Sequence, residues 1–281
     1  MPIRAKALYH KLIPASIRNP IGAFRRSMSD RVHRAREPFP LPPPALLRNV
    51  QLTPYVKEYL EVGRRSAESI IAALSPPVEE LAEGSSQLAA GDLPTANRNL
   101  PTIRVLDFGC GSGRTLRHLR ATGWELFGCD IDAPAIAWSR EALPFATFEV
   151  NATDPPLPYA DGFFDAVYAV SVFTHFPPDR QEPWAAEMAR VLRSRGTLVV
   201  SSVGFTALRA FAGSQENIDA LEANGTLFIP GDQGFNNSGA FHSRAGIERL
   251  FSPYFRVVSH AERGLDGFQD LTILERSAVS T

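Results

Sequence analysis

A doubly wound α/β sheet is the architecture expected of this chain, and three features point to it. Short apolar runs alternate with amphipathic stretches from Pro101 onward, a glycine-rich turn follows the first of those runs, and two β-type runs near the end lie close enough to pair as a hairpin. Composition agrees. The 281 residues are 44% hydrophobic, 21% charged and 10% aromatic, which is enough apolar material for one large domain or two small ones and excludes a fibre or a disordered tail.

Residues 1–36 hold nine Lys or Arg against one acid, Asp30, a local charge of +8. The net charge is −1, so the remainder carries about −9. This arm also holds Leu8, Leu12, Ile13, Ile17, Ile21 and Phe24, a composition suited to weak contact with an anionic membrane surface or a partner, although Pro14 and Pro20 interrupt any long helix. Residues 37–44 are expected to run extended, because each proline fixes φ and biases its predecessor away from helix. Residues 1–50 therefore read as a basic leader and proline-rich strap. Apolar residues Val56, Tyr59, Leu60, Val62, Ile70, Ile71 and Leu74 recur at helical spacing until Pro76-Pro77 ends the run. With the Gly, Ser, Ala, Asn and Pro-rich stretch 83–100, residues 51–100 read as a helical cover and linker.

Residues 101–281 read as one α/β domain. Apolar runs at 103–108, 125–129 and 145–150 alternate with amphipathic stretches at 116–120 and 135–141. A strand at 164–172, a helix at 179–192 closing on Arg195-Gly196, and a strand at 197–202 continue the rhythm. A helix at 244–251 is capped by Ser243, and strands 255–261 and 270–275 form the hairpin. Residues 205–240 fit neither period and are expected to form a substrate-cover insertion. No stretch approaches the roughly 18 apolar residues of a membrane span, and no signal-type apolar run opens the sequence, so a cytoplasmic location is expected. Cys110 and Cys129 lack the partners that a disulfide framework or zinc site requires, and no metal is expected.

The chemistry sits in residues 105–115, a hydrophobic strand running through Asp107-Phe108-Gly109-Cys110-Gly111-Ser112-Gly113 toward a helix. Glycines there permit positive φ and let a ligand lie against bare backbone, while free amides face a polar or anionic group. A dinucleotide fingerprint would need a third glycine where Arg114 stands, and no Gly-Lys-Ser/Thr follows for a P-loop. No basic field covers the whole chain, and no Asn-Pro-Pro-Tyr type motif follows the fourth strand, so nucleic acid is not expected as a partner.

This loop and three later landmarks resemble the class I S-adenosylmethionine-dependent methyltransferases, over residues 101–204 and, less closely, the final hairpin. The resemblance implies a seven-stranded Rossmann-like sheet with an antiparallel last strand and S-adenosyl-L-methionine as cofactor. It implies that Asp107, Gly109, Cys110, Gly111 and Gly113 hold the methionine part, that Asp130 in Gly128-Cys129-Asp130-Ile131-Asp132 grips the ribose hydroxyls, and that Asn151 contacts adenine. Ile131, Ala152 and Ser171 complete the expected cofactor set. Ser194-Arg195-Gly196 stands where relatives carry Pro-Gly-Gly.

Ser171-Val172-Phe173-Thr174-His175 and Gln269-Asp270 are similar to bacterial members that act on small molecules or surface glycans. The resemblance thus implies a small-molecule or saccharide acceptor; a hydroxyl oxygen is the leading choice of methylated atom, and N-methylation of an amino sugar is the alternative. A hydroxyl benefits from a base, and two histidines are candidates: His175 beyond the fourth strand, at the carboxyl edge of the sheet, and His242 before the capping Ser243. Tyr55, Tyr59 and Tyr254 read as core or as pocket lining. The alternative function is a catalytically silent cofactor-binding partner or regulatory domain, against which the intact loop and Asp130 both speak.

Overall fold

The computed structural model describes residues 30–51, 55–75, 102–231 and 238–278. The basic arm through residue 29 and the 83–100 connection lie outside these residues. One seven-stranded sheet organises the rest: β1 (Arg104–Phe108), β2 (Glu125–Asp130), β3 (Ala146–Val150), β4 (Phe164–Ala169), β5 (Leu192–Ser202), β8 (Phe255–Leu265) and β9 (Gln269–Arg276), in the order β3-β2-β1-β4-β5-β9-β8. A separate two-stranded ribbon joins β6 (Thr226–Ile229) to β7 (Gly239–His242). Pairing is parallel from β3 through β5, and β9 is antiparallel to both of its neighbours. The expected seven-stranded sheet with its reversed last strand is therefore present.

The parallel strands read as almost unbroken apolar runs because both of their faces are covered. Leu106, Phe108, Val167 and Leu198 face one core, with Trp184 and Met188 of α4 (Pro178–Val191) and Ile247 and Phe251 of α7 (Arg244–Phe251). Val105, Tyr168 and Val199 face the other, with Ala67 and Ile70 of α2 (Val56–Leu74) and Ile136 of α3 (Ala133–Ala142). As expected, Ser243 caps α7, its Oγ accepting from Gly246 N at 3.2 Å. Asp132 caps α3 in the same way, accepting from Ala135 N at 3.1 Å. Strand order reverses between β1 and β4, which opens a crevice at their carboxyl ends.

Several elements depart from the sequence reading. The proline run ends in a helix, α1 (Pro44–Gln51), with proline at its first position, where a missing N–H costs nothing. The amphipathic stretch after the glycine loop forms only a 3-10 turn, Leu116–His118. Strand β4 ends at Ala169, because Ser171 turns the chain with φ at +61°. Helix α4 passes into β5 at Leu192, and Arg195 takes the left-handed conformation (φ +58°) expected of the following glycine. Residues 205–240 supply α5 (Phe205–Ala212), α6 (Gln215–Asn224), β6 and the start of β7, with 232–237 outside the described residues. Among the described residues no helix is long and apolar enough to cross a membrane.

Helices α1 and α2 pack across the glycine loop. Tyr59, fully buried, donates from its hydroxyl to Ser112 O at 2.7 Å. Arg114 Nη1 donates to Val50 O at 3.3 Å, Asn49 Nδ2 to Asp132 Oδ2 at 3.0 Å, and Arg117 Nη2 to Pro40 O at 2.8 Å. A Cβ on Gly63 of α2 would stand 2.2 Å from Arg114 O. Gly63→Ala should therefore lose stability despite the better helix propensity of alanine. The overlap with rigid backbone costs on the order of 2 kcal/mol, read as a fall of several degrees in thermal midpoint. An unchanged midpoint would mean that α2 slides freely on the loop.

Candidate active site

Strand β1 delivers Gly109, Gly111 and Gly113, all left-handed, with φ at +77°, +52° and +70°. A Cβ on Gly109 would lie 2.4 Å from Val172 Cγ2, and one on Gly113 would lie 2.5 Å from Leu143 Cδ1. Both dihedral and space exclude other residues at these two positions. The loop is tied to β2: Gly109 N and Cys110 N both donate to Cys129 O, at 2.8 and 3.0 Å.

Asp130 ends β2 with its carboxylate against the loop. Oδ2 accepts from Gly111 N at 2.7 Å and Oδ1 from Asp132 N at 2.8 Å. Each oxygen keeps lone-pair capacity for another donor. Burial raises the pKa of Asp130, helped by the charge of Asp132, and the backbone amides of Asp132, Gly111 and Ile131 work against that rise. At the end of β3, Asn151 is 9% exposed. Its Nδ2 donates to Ala152 O at 2.7 Å, and its Oδ1 has no partner among the described residues. Asn151 lines a cavity of about 630 Å³ together with Phe108, Gly109, Asp130, Ile131 and Trp184.

A larger crevice, about 1700 Å³, adjoins it and shares Gly109, Asp130, Ile131, Ser171 and His175. His175 Nδ1 stands 2.9 Å from Ser238 O. A carbonyl only accepts, so Nδ1 carries the proton and Nε2 keeps a lone pair. Burial lowers the pKa of His175, with the Ser238 carbonyl working in the opposite direction. Ser171 N donates to Ser201 Oγ at 2.7 Å, and Gln269 Nε2 donates to Ser171 Oγ at 2.5 Å.

Not every expected site residue reaches these cavities. Cys110 turns its thiol into the core, where it packs beside Gly128, and Gly113 shapes the turn from behind. Ala152 is exposed and contributes its carbonyl to Asn151. Asp107, 3% exposed, lies beneath the loop and lines neither cavity. His242 is separated from the loop altogether. It is 1% exposed and 3.0 Å from Gln181 Oε1 through Nε2, and it lines another cavity with His260 and Asp270. Pairing of β7 with β6 sets that direction, and burial lowers its pKa to about 4. Tyr59 is core, and among the described residues no cluster of three or more His, Cys, Asp or Glu is arranged to hold a metal.

Burial lifts the pKa of Asp107 to about 7, helped by the charge of Asp130 and opposed by the neighbouring Tyr168 hydroxyl. A carboxyl whose folded-state pKa exceeds its unfolded value favours the folded state at low pH. That advantage disappears between about pH 4 and 7, a difference on the order of 4 kcal/mol. Asp107→Asn should therefore flatten the decline in melting temperature from pH 5 to pH 8. Parallel declines in mutant and parent would show that Asp107 is ionised throughout.

Residues 106–200 match the family profile of a methyltransferase domain. Those residues therefore carry a methyltransferase domain. The methyltransferase domain is 34% identical over 106 residues to the methyltransferase GfsG of Streptomyces halstedii, covering 36% of this chain and 37% of that one. Across 228 residues the chain is 26% identical to a malonyl-[acyl-carrier protein] O-methyltransferase of Enterobacter lignolyticus, covering 81% and 80% of the two chains. Its fold is similar to that of magnesium protoporphyrin IX methyltransferase from Synechocystis, solved with bound SAH, with a TM-score of 0.51, 18% identity, and coverage of 91% and 99%. The chain spans 37% of the GfsG length and 41% of a demethylmenaquinone methyltransferase from Beutenbergia cavernae.

Proposed function

We propose that this protein transfers a methyl group from S-adenosyl-L-methionine to a hydroxyl oxygen of a small-molecule or saccharide acceptor, with His175 as the base. One observation carries the reading: Nδ1 of His175 is committed to Ser238 O, on the wall of the crevice that the glycine loop lines. The residues present fit the cofactor. Asn151 offers an unpartnered buried oxygen for an adenine amino group, in a cavity that Phe108 and Trp184 also line. Asp130 retains acceptor capacity for ribose hydroxyls. When bound, S-adenosylmethionine supplies an electrophilic methyl on a sulfonium.

The chain's own part is to hold, align and deprotonate. Gly109 and Gly111 present backbone close to the ligand, and alignment in a water-poor crevice supplies much of the rate. His175 is neutral near pH 7, because burial lowers its pKa, and its Nε2 accepts the proton of the acceptor hydroxyl. In this reading residues 1–50 are a leader and strap, 51–100 a helical cover and linker, and 101–281 the catalytic domain, whose 205–240 insertion covers the acceptor. The basic arm serves weak contact with a membrane surface or partner, nucleic acid is not the acceptor, and the reaction takes place in the cytoplasm.

A transfer assay with methyl-labelled cofactor against extracts of the native cell, followed by mass analysis, tests the proposal. Label should appear in a small hydroxyl compound or glycan. Label confined to nucleic acid, or at nitrogen or carbon alone, would refute the acceptor class.

A further inference from the structure

A further cavity, about 760 Å³, lies apart from the two that the glycine loop and His175 line, and it shares no lining residue with either. Its walls come from α5, α6, the end of β7 and the β8–β9 hairpin. Glu222 of α6, Glu262 of β8 and Asp270 of β9 all line it, and none of these carboxylates forms an ion pair among the described residues.

Asp270 points to a ligand. It is 9% exposed, and its Oδ1 accepts from Arg263 N at 2.9 Å. Its Oδ2 accepts no hydrogen bond from a described residue, yet protein atoms do not seal it, so its lone pairs open on the cavity. Gly204 makes room for this oxygen, since a Cβ there would stand 2.7 Å from it. A carboxylate so far withdrawn from water is costly without a cationic partner.

The cavity's own basic side chains are engaged elsewhere. Arg244 Nε pairs with Glu248 Oε1 at 2.8 Å, the Arg209 guanidinium lies 5.6 Å over the Phe205 ring, and His260 Nδ1 stands 2.9 Å from Thr272 Oγ1. The unmatched charge is negative and comes from two separate elements, α6 and the hairpin. Phe205 and Ile218, both half-buried, add apolar surface to the same lining. A flexible methylene stem lies well along such surface while its charged ends stay polar-paired.

We propose that this cavity binds an aliphatic diamine or polyamine, one ammonium on Asp270 and Glu262, the other on Glu222, and the stem along Phe205 and Ile218. The site does not depend on the cofactor reading. It adjoins the catalytic machinery through β7: His242 on its wall ends that strand, and Ser238 just before the strand holds His175 Nδ1 through its carbonyl.

Calorimetric titration of the full chain at low ionic strength with putrescine, and with butylamine as the same stem carrying a single ammonium, tests the proposal. Putrescine should bind the parent about fivefold or more tightly than butylamine. Asp270→Asn should weaken putrescine about tenfold, and Glu222→Gln and Glu262→Gln about threefold each, as expected for a withdrawn carboxylate and for exposed ones. Glu216→Gln, on α6 but outside the cavity, should leave binding nearly unchanged, and so should saturation with S-adenosylhomocysteine. Thermal transitions report that each variant is folded; if Asp270→Asn is not, the two glutamate variants decide. The proposal is overturned if putrescine gives no binding heat, if both amines bind alike, if Glu216→Gln weakens binding as much as the cavity variants do, or if S-adenosylhomocysteine displaces putrescine.

Discussion

Asp130→Ala should abolish measurable binding of S-adenosylmethionine, and it is expected to have the largest effect of any single substitution on the cofactor site. The carboxylate has two jobs. It holds Gly111 N and Asp132 N, at 2.7 and 2.8 Å, and it presents the remaining lone pairs to the crevice. Hydrogen bonds to a charged group contribute about 1.5–3 kcal/mol each. Loss of two ribose contacts therefore lowers affinity by a factor on the order of 10² to 10⁴ before any loosening of the loop is counted. Asp130→Asn should be milder, because its amide oxygen still accepts from one backbone N–H. Titration calorimetry measures both. If Asp130→Ala retained affinity within about threefold of the parent, the ribose would have to lie elsewhere.

His175→Ala should reduce turnover by about 10² to 10³ while leaving cofactor affinity nearly unchanged, because a positioned base typically contributes that much. Its pH dependence carries a sign that a structural role would not. The pKa of His175 is lowered by burial, so the neutral, proton-accepting form persists to a lower pH than free imidazole allows. Turnover in the parent should hold through neutral pH and fall only below the ordinary imidazole range. That acid limb should be missing from the residual activity of the variant. Unchanged turnover, or an identical acid limb in both proteins, would remove His175 from the proton path.

Much of this frame is legible in residue order. The apolar runs of β1 to β5, the glycine spacing and the acid ending β2 all follow from local rules: strands covered on both faces are apolar throughout, and positive φ demands glycine. The roles given to Asp130 and Asn151 come instead from the family resemblance, which no local rule supplies. What escaped depends on distant packing. Nothing local shows that residues after Gly113 stop at one 3-10 turn, since the contacts there come from Tyr59 and Gly63, about fifty residues earlier. His242 looked placed for chemistry, and only the β6–β7 pairing turns it toward Gln181.

The location of β9 has a consequence for biosynthesis. Residues 269–276, which follow every other strand of this sheet in chain order, are no border of the sheet but a filling between β5 and β8, bonded along both sides. A nascent polypeptide emerging from the ribosome cannot zip this architecture shut from front to back. It must keep a slot open until β9 arrives, so termination before residue 269 would leave β8 without the strand that joins it to the sheet.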